Sequence, residues 1–358
     1  MSGADIGSGA DIGSGADIGS GVVCYTSFTY SYLSRARVLL ESVRRVHPGW
    51  QVWAVVVDEA PPGVDAGRAL AGFDGVLQLA DLGIPRALGW LFGHDLVEAC
   101  TAVKGRAMLH LLDRGAARVV YFDPDIALFN PLEGLEAGSI MLTPHQLEAN
   151  QDSQAIIDNE MAALVYGVFN LGFVSVRNDG AGRAFAEWWA ARLHEACFDD
   201  TGAGIFTDQK YCDLAPGLFE GVQVWRDPGC NVASWNLSRR RLAFDAAGRI
   251  TVNGSALKFY HFTKIGGAGD VMTERYGAAN TEVFEVWHWY KRRERALRLE
   301  AVAEGYWHYG RYRDGTEISP GARVLYRNRP NLRAAFDDPF SELPRWLAEH
   351  RPDLVVTQ

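Results

Sequence analysis

The sequence predicts an α/β fold: a mixed, mostly parallel sheet flanked by helices, with a C-terminal helical appendage. Three observations carry this expectation. Short β-branched runs alternate with stretches of helical period through the first third of the chain. Hydrophobic residues make up 48% and charged residues 22% of the 358 residues, which is globular composition with enough apolar material for a sizeable core. After about residue 285 the pattern changes to a helix followed by Tyr, Trp and Arg without clear strands.

In chain order, residues 2–19 are three copies of Ser-Gly-Ala-Asp-Ile-Gly, followed by Ser20-Gly21. The single Ile of each copy has no apolar partner nearby, and Gly/Ser-rich chain gains little from ordering, so residues 1–20 are expected to be a flexible tail. Val22 to Tyr25 is a short apolar run bounded by Thr26-Ser27 and reads as a strand entering a loop. From Tyr32 to His47, Leu33, Ala36, Leu39, Leu40 and Val43 recur at helical spacing, and Pro48-Gly49 stops the helix. Val52 to Val57 then closes a β-α-β unit at Asp58.

A strand follows near Val76 to Leu79, then a helix from Val103 to Arg114 ended by Gly115, then the strand Arg118 to Phe122. Repeated strand-helix order implies parallel strands covered on both faces, with ligands beyond the strands' C-terminal ends. Trp188 and Trp189 share a helix with Phe185 and Leu193 and read as core. A last long helix runs from about Phe284 to Glu304 with Trp287, Trp289 and Tyr290, which divides the chain into a body, 21–285, and an appendage, 286–358.

The net charge of -9 argues against nucleic acid as a partner. Five widely spaced cysteines, Cys24, Cys100, Cys197, Cys212 and Cys230, form no CxxC pair and suit a reducing compartment. The N-terminus has no basic segment leading into a long apolar one, so a cytoplasmic location is expected. Lys291-Arg292-Arg293-Glu294-Arg295, with Arg323, Arg327, Arg329 and Arg333, offers a peripheral contact with an anionic membrane surface or with a diphosphate-linked acceptor, or else a solvated, salt-bridged helix face.

The sharpest chemical signal is Tyr121-Phe122-Asp123-Pro124-Asp125-Ile126, where two carboxylates stand two residues apart at the end of an apolar strand. Hard oxygen ligands so placed can hold Mg²⁺ or Mn²⁺ and leave coordination positions for a diphosphate. A solvated Asp-Pro-Asp turn has the same spelling, but apolar flanks on both sides make unpaired acids costly here.

With this motif the sequence resembles glycosyltransferases of the GT-A fold, family 8 type, which transfer sugars from nucleotide diphosphates. The loop Thr26 to Tyr32 looks like that family's nucleotide-binding start, with Tyr30 or Tyr32 stacking on the base. Lys104-Gly105-Arg106 is similar to the segment whose arginine reaches the donor. Phe169-Asn170-Leu171-Gly172 is like its Phe-Asn-x-Gly strand, and Thr207-Asp208-Gln209-Lys210 resembles the Asp-Gln segment facing the anomeric carbon. Tyr260-His261-Phe262 falls where the family places a third metal ligand. The resemblance covers about residues 21–270.

The resemblance implies a donor site of Thr26, Tyr30, Tyr32, Arg106, Asp123 and Lys264, and a Mn²⁺ or Mg²⁺ site, Mn²⁺ favoured, of Asp123, Asp125 and His261. It implies sugar or acceptor contacts from Asn170, Trp235 and Asn236, and Asp208 and Gln209 at the reacting carbon. The activity implied is retaining transfer of a hexose-type sugar, from a UDP-sugar by preference, to a glycan, lipid-linked or protein acceptor. An amide is a poor nucleophile, so Gln209 is expected to orient the sugar, and Asp208 to bind sugar hydroxyls or the acceptor, although its position also suits a helix N-cap. Glycines 266, 267 and 269 would let backbone N–H groups approach phosphate.

Two other readings stay open. Phe122-Asp123-Pro124-Asp125 also looks like the nucleophile strand of haloacid dehalogenase-type phosphotransferases, with Asp123 attacking, although Ile126-Ala127 follow where that family has Thr or Gly. The sequence after His261, Lys264-Ile265-Gly266-Gly267, lacks the family's Lys-Pro-Trp ending and keeps a non-catalytic sugar-nucleotide-binding protein in view.

Overall fold

The structure is a computed structural model that describes residues 18–356. Its central sheet has seven strands, in the edge-to-edge order Val222–Val224, Ile140–Pro144, Phe169–Arg177, Arg118–Phe122, Val22–Phe28, Gln51–Val56, Gly75–Gln78. Phe169–Arg177 pairs antiparallel with both neighbours and every other pairing is parallel, so one reversed strand sits inside an otherwise parallel sheet. This is the mixed, mostly parallel α/β sheet expected from the strand-helix alternation.

Strand alternation sends side chains to two cores. Val23, Tyr25, Val119 and Tyr121 pack on one face with helices Lys104–Asp113 and Gly180–Ala196. Cys24, Val120 and Phe122 pack on the other with Leu39, Leu40 and Val43 of the helix Leu33–Val46. The two helices of the first face touch backbone to backbone: a Cβ on Gly105 would stand 2.6 Å from Ala190 Cα. Trp189 is fully buried beside Phe185, as its spacing predicts.

A second, three-stranded sheet carries the chemistry. In it Phe259–His261 pairs antiparallel with Ile126–Leu128 and parallel with Val232–Ala233. Its register sets His261 opposite Ile126, the residue after Asp125, and the Phe262 N–H donates to the Asp125 carbonyl at 2.8 Å.

Two expectations shift. The late helix runs Glu282–Ala296, ending before Glu304, because Leu299, Val302 and Tyr306 leave helical register to pack on the cluster around Phe28, Tyr30 and Leu33. The 285/286 division falls inside this helix, whose Val283, Val286, Trp287 and Tyr290 share a core with Tyr260 and Phe262 of the body. At the other end, residues 1–17 of the repeat lie outside the described residues. Ile18 of the last copy is instead buried in the main core, with its carbonyl 3.3 Å from Gln51 Nε2.

The C-terminal helices Pro320–Arg327, Pro330–Ala335 and Pro339–His350 form a core of their own with Phe92. Four of the eight basic residues marked in this region are engaged by partners within the protein. Lys291 pairs with Asp270, Arg293 with Glu41 and Arg327 with Glu98, and Arg323 is buried against the carbonyls of Phe92, His94 and Tyr309. No helix of the described residues is long and apolar enough to cross a membrane.

Candidate active site

A cleft of about 550 Å³ opens over the end of the sheet where the parallel strands finish and the reversed strand begins. Ser27 and Phe28 reach it from the first strand, Tyr121 and Asp123 from Arg118–Phe122 and the turn after it, and Asn170 to Gly172 from the reversed strand. A helical segment of residues 153–166 covers one side with Asp158, Asn159, Ala162, Ala163 and Tyr166. Its middle, Ile156–Met161, takes the wider π-helical turn.

On the floor, Asp123, Asp125 and His261 each offer a ligand atom, all within 4.8 Å of one another. His261 Nε2 lies 3.0 Å from Asp125 Oδ1 and 3.7 Å from Asp123 Oδ2. Burial works against charge on both buried partners, but each favours the other's charged form: Asp125 lies below and His261 above its ordinary pKa. His261 Nδ1 faces Asn170 Oδ1 at 3.1 Å; an Nδ1–H donated there fixes the tautomer that turns Nε2 toward the carboxylates. Gly172 leaves room for the ring, since a Cβ there would sit 2.6 Å from His261 Cε1. Two carboxylates and one oriented imidazole are a donor set that fits a divalent cation such as Mn²⁺ or Mg²⁺.

Beside this cluster lies Lys104, which the sequence reading passed over in favour of Arg106. Its ammonium is 3.0 Å from Asp123 Oδ1, 2.8 Å from Asp208 Oδ2 and 3.1 Å from the Leu171 carbonyl, over the Tyr121 ring. Burial alone would lower its pKa, but the two carboxylates outweigh burial and raise it, so it remains charged. Arg106, two residues on, points elsewhere, toward the Gly83 carbonyl at 3.5 Å and His194. A signal was available: Lys104 shares a helical face with Ala107, Met108 and Leu111, and a lysine on an apolar face requires a carboxylate partner.

The other marked residues divide. Tyr32 and Lys264 line the cleft, Tyr32 beneath the Arg35 guanidinium and Lys264 on an exposed turn with φ +50°. Thr26 and Tyr30 are buried behind it; Tyr30 is held by its N–H to Asp58 Oδ2 at 3.1 Å. Gln209 lines the cleft with its amide fixed by the Tyr166 carbonyl at 2.8 Å and by Asn170 and the Leu171 N–H, each at 3.3 Å. Asp208 caps no helix: the short 3₁₀ turn begins at Lys210, and the carboxylate faces Lys104.

Trp235 stands edge-on to His261 at 5.2 Å with an unpartnered indole N–H. Asn236, by contrast, is buried and structural, its side chain tied to the backbone of Ala233, Asn231 and His145, so it is not presented to a sugar. The glycine loop is also self-contained: the N–H groups of Gly267 and Gly269 donate to the Lys264 carbonyl and that of Gly266 to Asp270, which withdraws them from phosphate.

No family model matches the chain. Two uncharacterized proteins of Bacillus subtilis (strain 168) are similar to it. YfnF is 32% identical over 150 residues, 41% of this chain and 49% of YfnF; YfnD is 26% identical over 199 residues, 52% of this chain and 60% of YfnD. The chain thus spans about half the length of the first of these curated relatives and three fifths of the second. Among solved structures, the galactosyltransferase LgtC in complex with donor and acceptor sugar analogs aligns over 75% of this chain and 99% of its own, at 15% identity and a TM-score of 0.43. An active-site mutant of LgtC aligns over 72% and 95%, at 13% identity and a TM-score of 0.41.

Proposed function

We propose that the protein is a metal-dependent glycosyltransferase of the GT-A type. In this reading it moves a hexose-type sugar from a nucleotide diphosphate sugar, a UDP-sugar by preference, to a glycan, lipid-linked or protein acceptor, with retention. The observation that carries the reading is the Asp123, Asp125 and His261 ligand set, at the strand ends and in contact with the buried Lys104–Asp208 pair. Asp123, Asp125 and His261 would hold the cation, which when bound supplies positive charge against the developing charge of the departing diphosphate.

The remaining work falls to the chain itself. Asn170 orients the His261 ring. Lys104 holds Asp123 and Asp208 in place and keeps the cleft floor from carrying unbalanced negative charge. Gln209, with its amide already bonded on both sides, positions rather than attacks. The 153–166 segment shields one side of the cleft from water.

Calorimetry with UDP-, GDP- and dTDP-sugars, with and without Mn²⁺, tests the reading against Asp125→Ala. One donor should bind only with Mn²⁺ and lose binding in the variant. Binding by no donor, or binding indifferent to both Mn²⁺ and the substitution, overturns it.

A further inference from the structure

A second cavity, of about 650 Å³, opens where the C-terminal appendage meets the body. Leu96 lines both this cavity and the cleft, so the two spaces share a wall. The cavity is built on a fixed support. The Trp307 indole N–H donates to the Val57 carbonyl at 3.3 Å, the His308 N–H to Asp58 at 2.8 Å and the Tyr309 hydroxyl to Glu59 at 2.9 Å. From below, the buried Arg323 guanidinium lies 4.7 Å from the Trp307 ring centre and donates to the Tyr309 carbonyl at 2.6 Å. A wall anchored in this way needs little reorganisation to receive a ligand.

Its lining has a definite chemistry. Five of the sixteen lining residues are aromatic: Tyr306, Trp307, Tyr309, Tyr312 and Phe340. The charged side chains balance, Arg311 and Arg313 against Glu304 and Glu317, which offers donors and acceptors but no net field for a polyanion. Tyr312 is only 8% exposed, and its hydroxyl is buried without a hydrogen-bond partner. A buried hydroxyl left unpaired is unfavourable, so this one favours an occupant, or a small shift of the ring, that supplies a partner.

We propose that this cavity binds neutral carbohydrate. A pyranose has apolar C–H faces that suit aromatic rings and a rim of hydroxyls that both donate and accept, which matches a lining of aromatic and charge-balanced groups. Resting on the glycosyltransferase reading, the bound sugars are the outer residues of a glycan acceptor whose reacting end lies across Leu96 in the cleft. The carbohydrate binding itself does not depend on that reading.

Saturation-transfer NMR on the full chain tests it, with lactose, maltotriose, cellotriose, chitotriose and mannotriose as probes. Two variants report on the cavity without touching the cleft: Tyr312→Phe removes only the unpartnered hydroxyl, and Arg311→Ala removes an exposed side chain bonded to the Gly315 carbonyl. At least one probe should bind, and one or both variants should weaken it by about fivefold or more. Asp125→Ala should leave that binding unchanged, and neither cavity variant should lower the melting temperature, Tyr312→Phe holding or raising it because it removes a buried hydroxyl with no partner. Binding by no probe, or binding indifferent to both cavity variants, overturns the proposal. Donor calorimetry keeps the two readings apart: a saccharide-binding protein that ignores every nucleotide sugar sinks the transferase reading and leaves the carbohydrate site standing.

Discussion

Lys104 and Asp208 form an ion pair at 2.8 Å beneath the cleft floor, with side chains only 2% and 4% exposed. Each needs the other, because neither charge has water to stabilise it. Lys104→Met leaves the Asp208 carboxylate buried without its cation and should cost about 3–5 kcal/mol of stability. Adding Asp208→Asn should restore part of that loss. Urea unfolding of the single and double variants measures both, and a double variant no more stable than the single one would show that the pairing is not the source of the cost.

Asn170 acts on the candidate metal site through His261. Its Oδ1 lies 3.1 Å from Nδ1, which leaves Nε2 as the atom that faces Asp125. Without that acceptor the ring can rotate or change tautomer, so Asn170→Ala should weaken Mn²⁺ binding by about 10–100-fold. A Mn²⁺ titration followed by water-proton relaxation reads this directly. Unchanged affinity would remove Asn170 from the site.

Much of the sheet was legible because its strands are apolar runs closed by Asp, Gly or Pro, and its helices repeat their apolar faces. Asp123 and Asp125 were legible for the same reason: two acids against a buried strand have few structural explanations. His261 came to light only through the resemblance, because its place beside Asp125 depends on a strand register set by residues more than a hundred positions apart. Arg106 and Lys104 show where local reading fails. Both are cations on one helix; the apolar face that Lys104 shares with Ala107, Met108 and Leu111 was the local clue, and the packing of that helix against Gly180–Ala196 turns this face, not Arg106, to the sheet end. Asn236 spelled an acceptor contact but serves the turn it sits in, a use of Asn that sequence alone cannot separate from sugar binding. The end of the Glu282–Ala296 helix was likewise hidden, since helical propensity continues past the point where Leu299 and Val302 are drawn into another cluster.

Asp58 ties the turn that carries Tyr32 to the segment around His308. Its carboxylate accepts from the backbone N–H groups of Tyr30 at 3.1 Å, Glu59 at 3.0 Å and His308 at 2.8 Å. Burial nevertheless pushes its pKa up to about 7. The folded chain then holds a proton that the unfolded chain, with an aspartate near about 3.9, has already lost. The stability this group contributes is full below about pH 4 and falls as pH rises to about 7, by at most about 1.4 kcal/mol per unit. Between about pH 5 and about pH 8 the wild-type protein should therefore lose stability relative to Asp58→Asn. Thermal midpoints of the two proteins across that range decide it; parallel curves would mean that Asp58 does not titrate there.

Gly172 is where the reversed strand passes under the histidine, and no other side chain fits there. A Cβ would meet His261 Cε1 at 2.6 Å, Nδ1 at 2.7 Å and Asn170 Oδ1 at 2.9 Å, three atoms of the arrangement that orients the imidazole. Its N–H and carbonyl lie in a strand whose pairing fixes Asp123, with the Asp123 N–H bonded to the Gly172 carbonyl at 2.8 Å, so the backbone cannot retreat without moving the acid. The added methyl must therefore displace the ring. Gly172→Ala should keep its far-ultraviolet circular dichroism, lose about 1–3 kcal/mol of stability to overpacking, and lose Mn²⁺ affinity by about tenfold or more. Stability lost with Mn²⁺ affinity intact would mean that the strain is relieved away from His261, and that the close approach of strand and ring serves packing rather than the metal site.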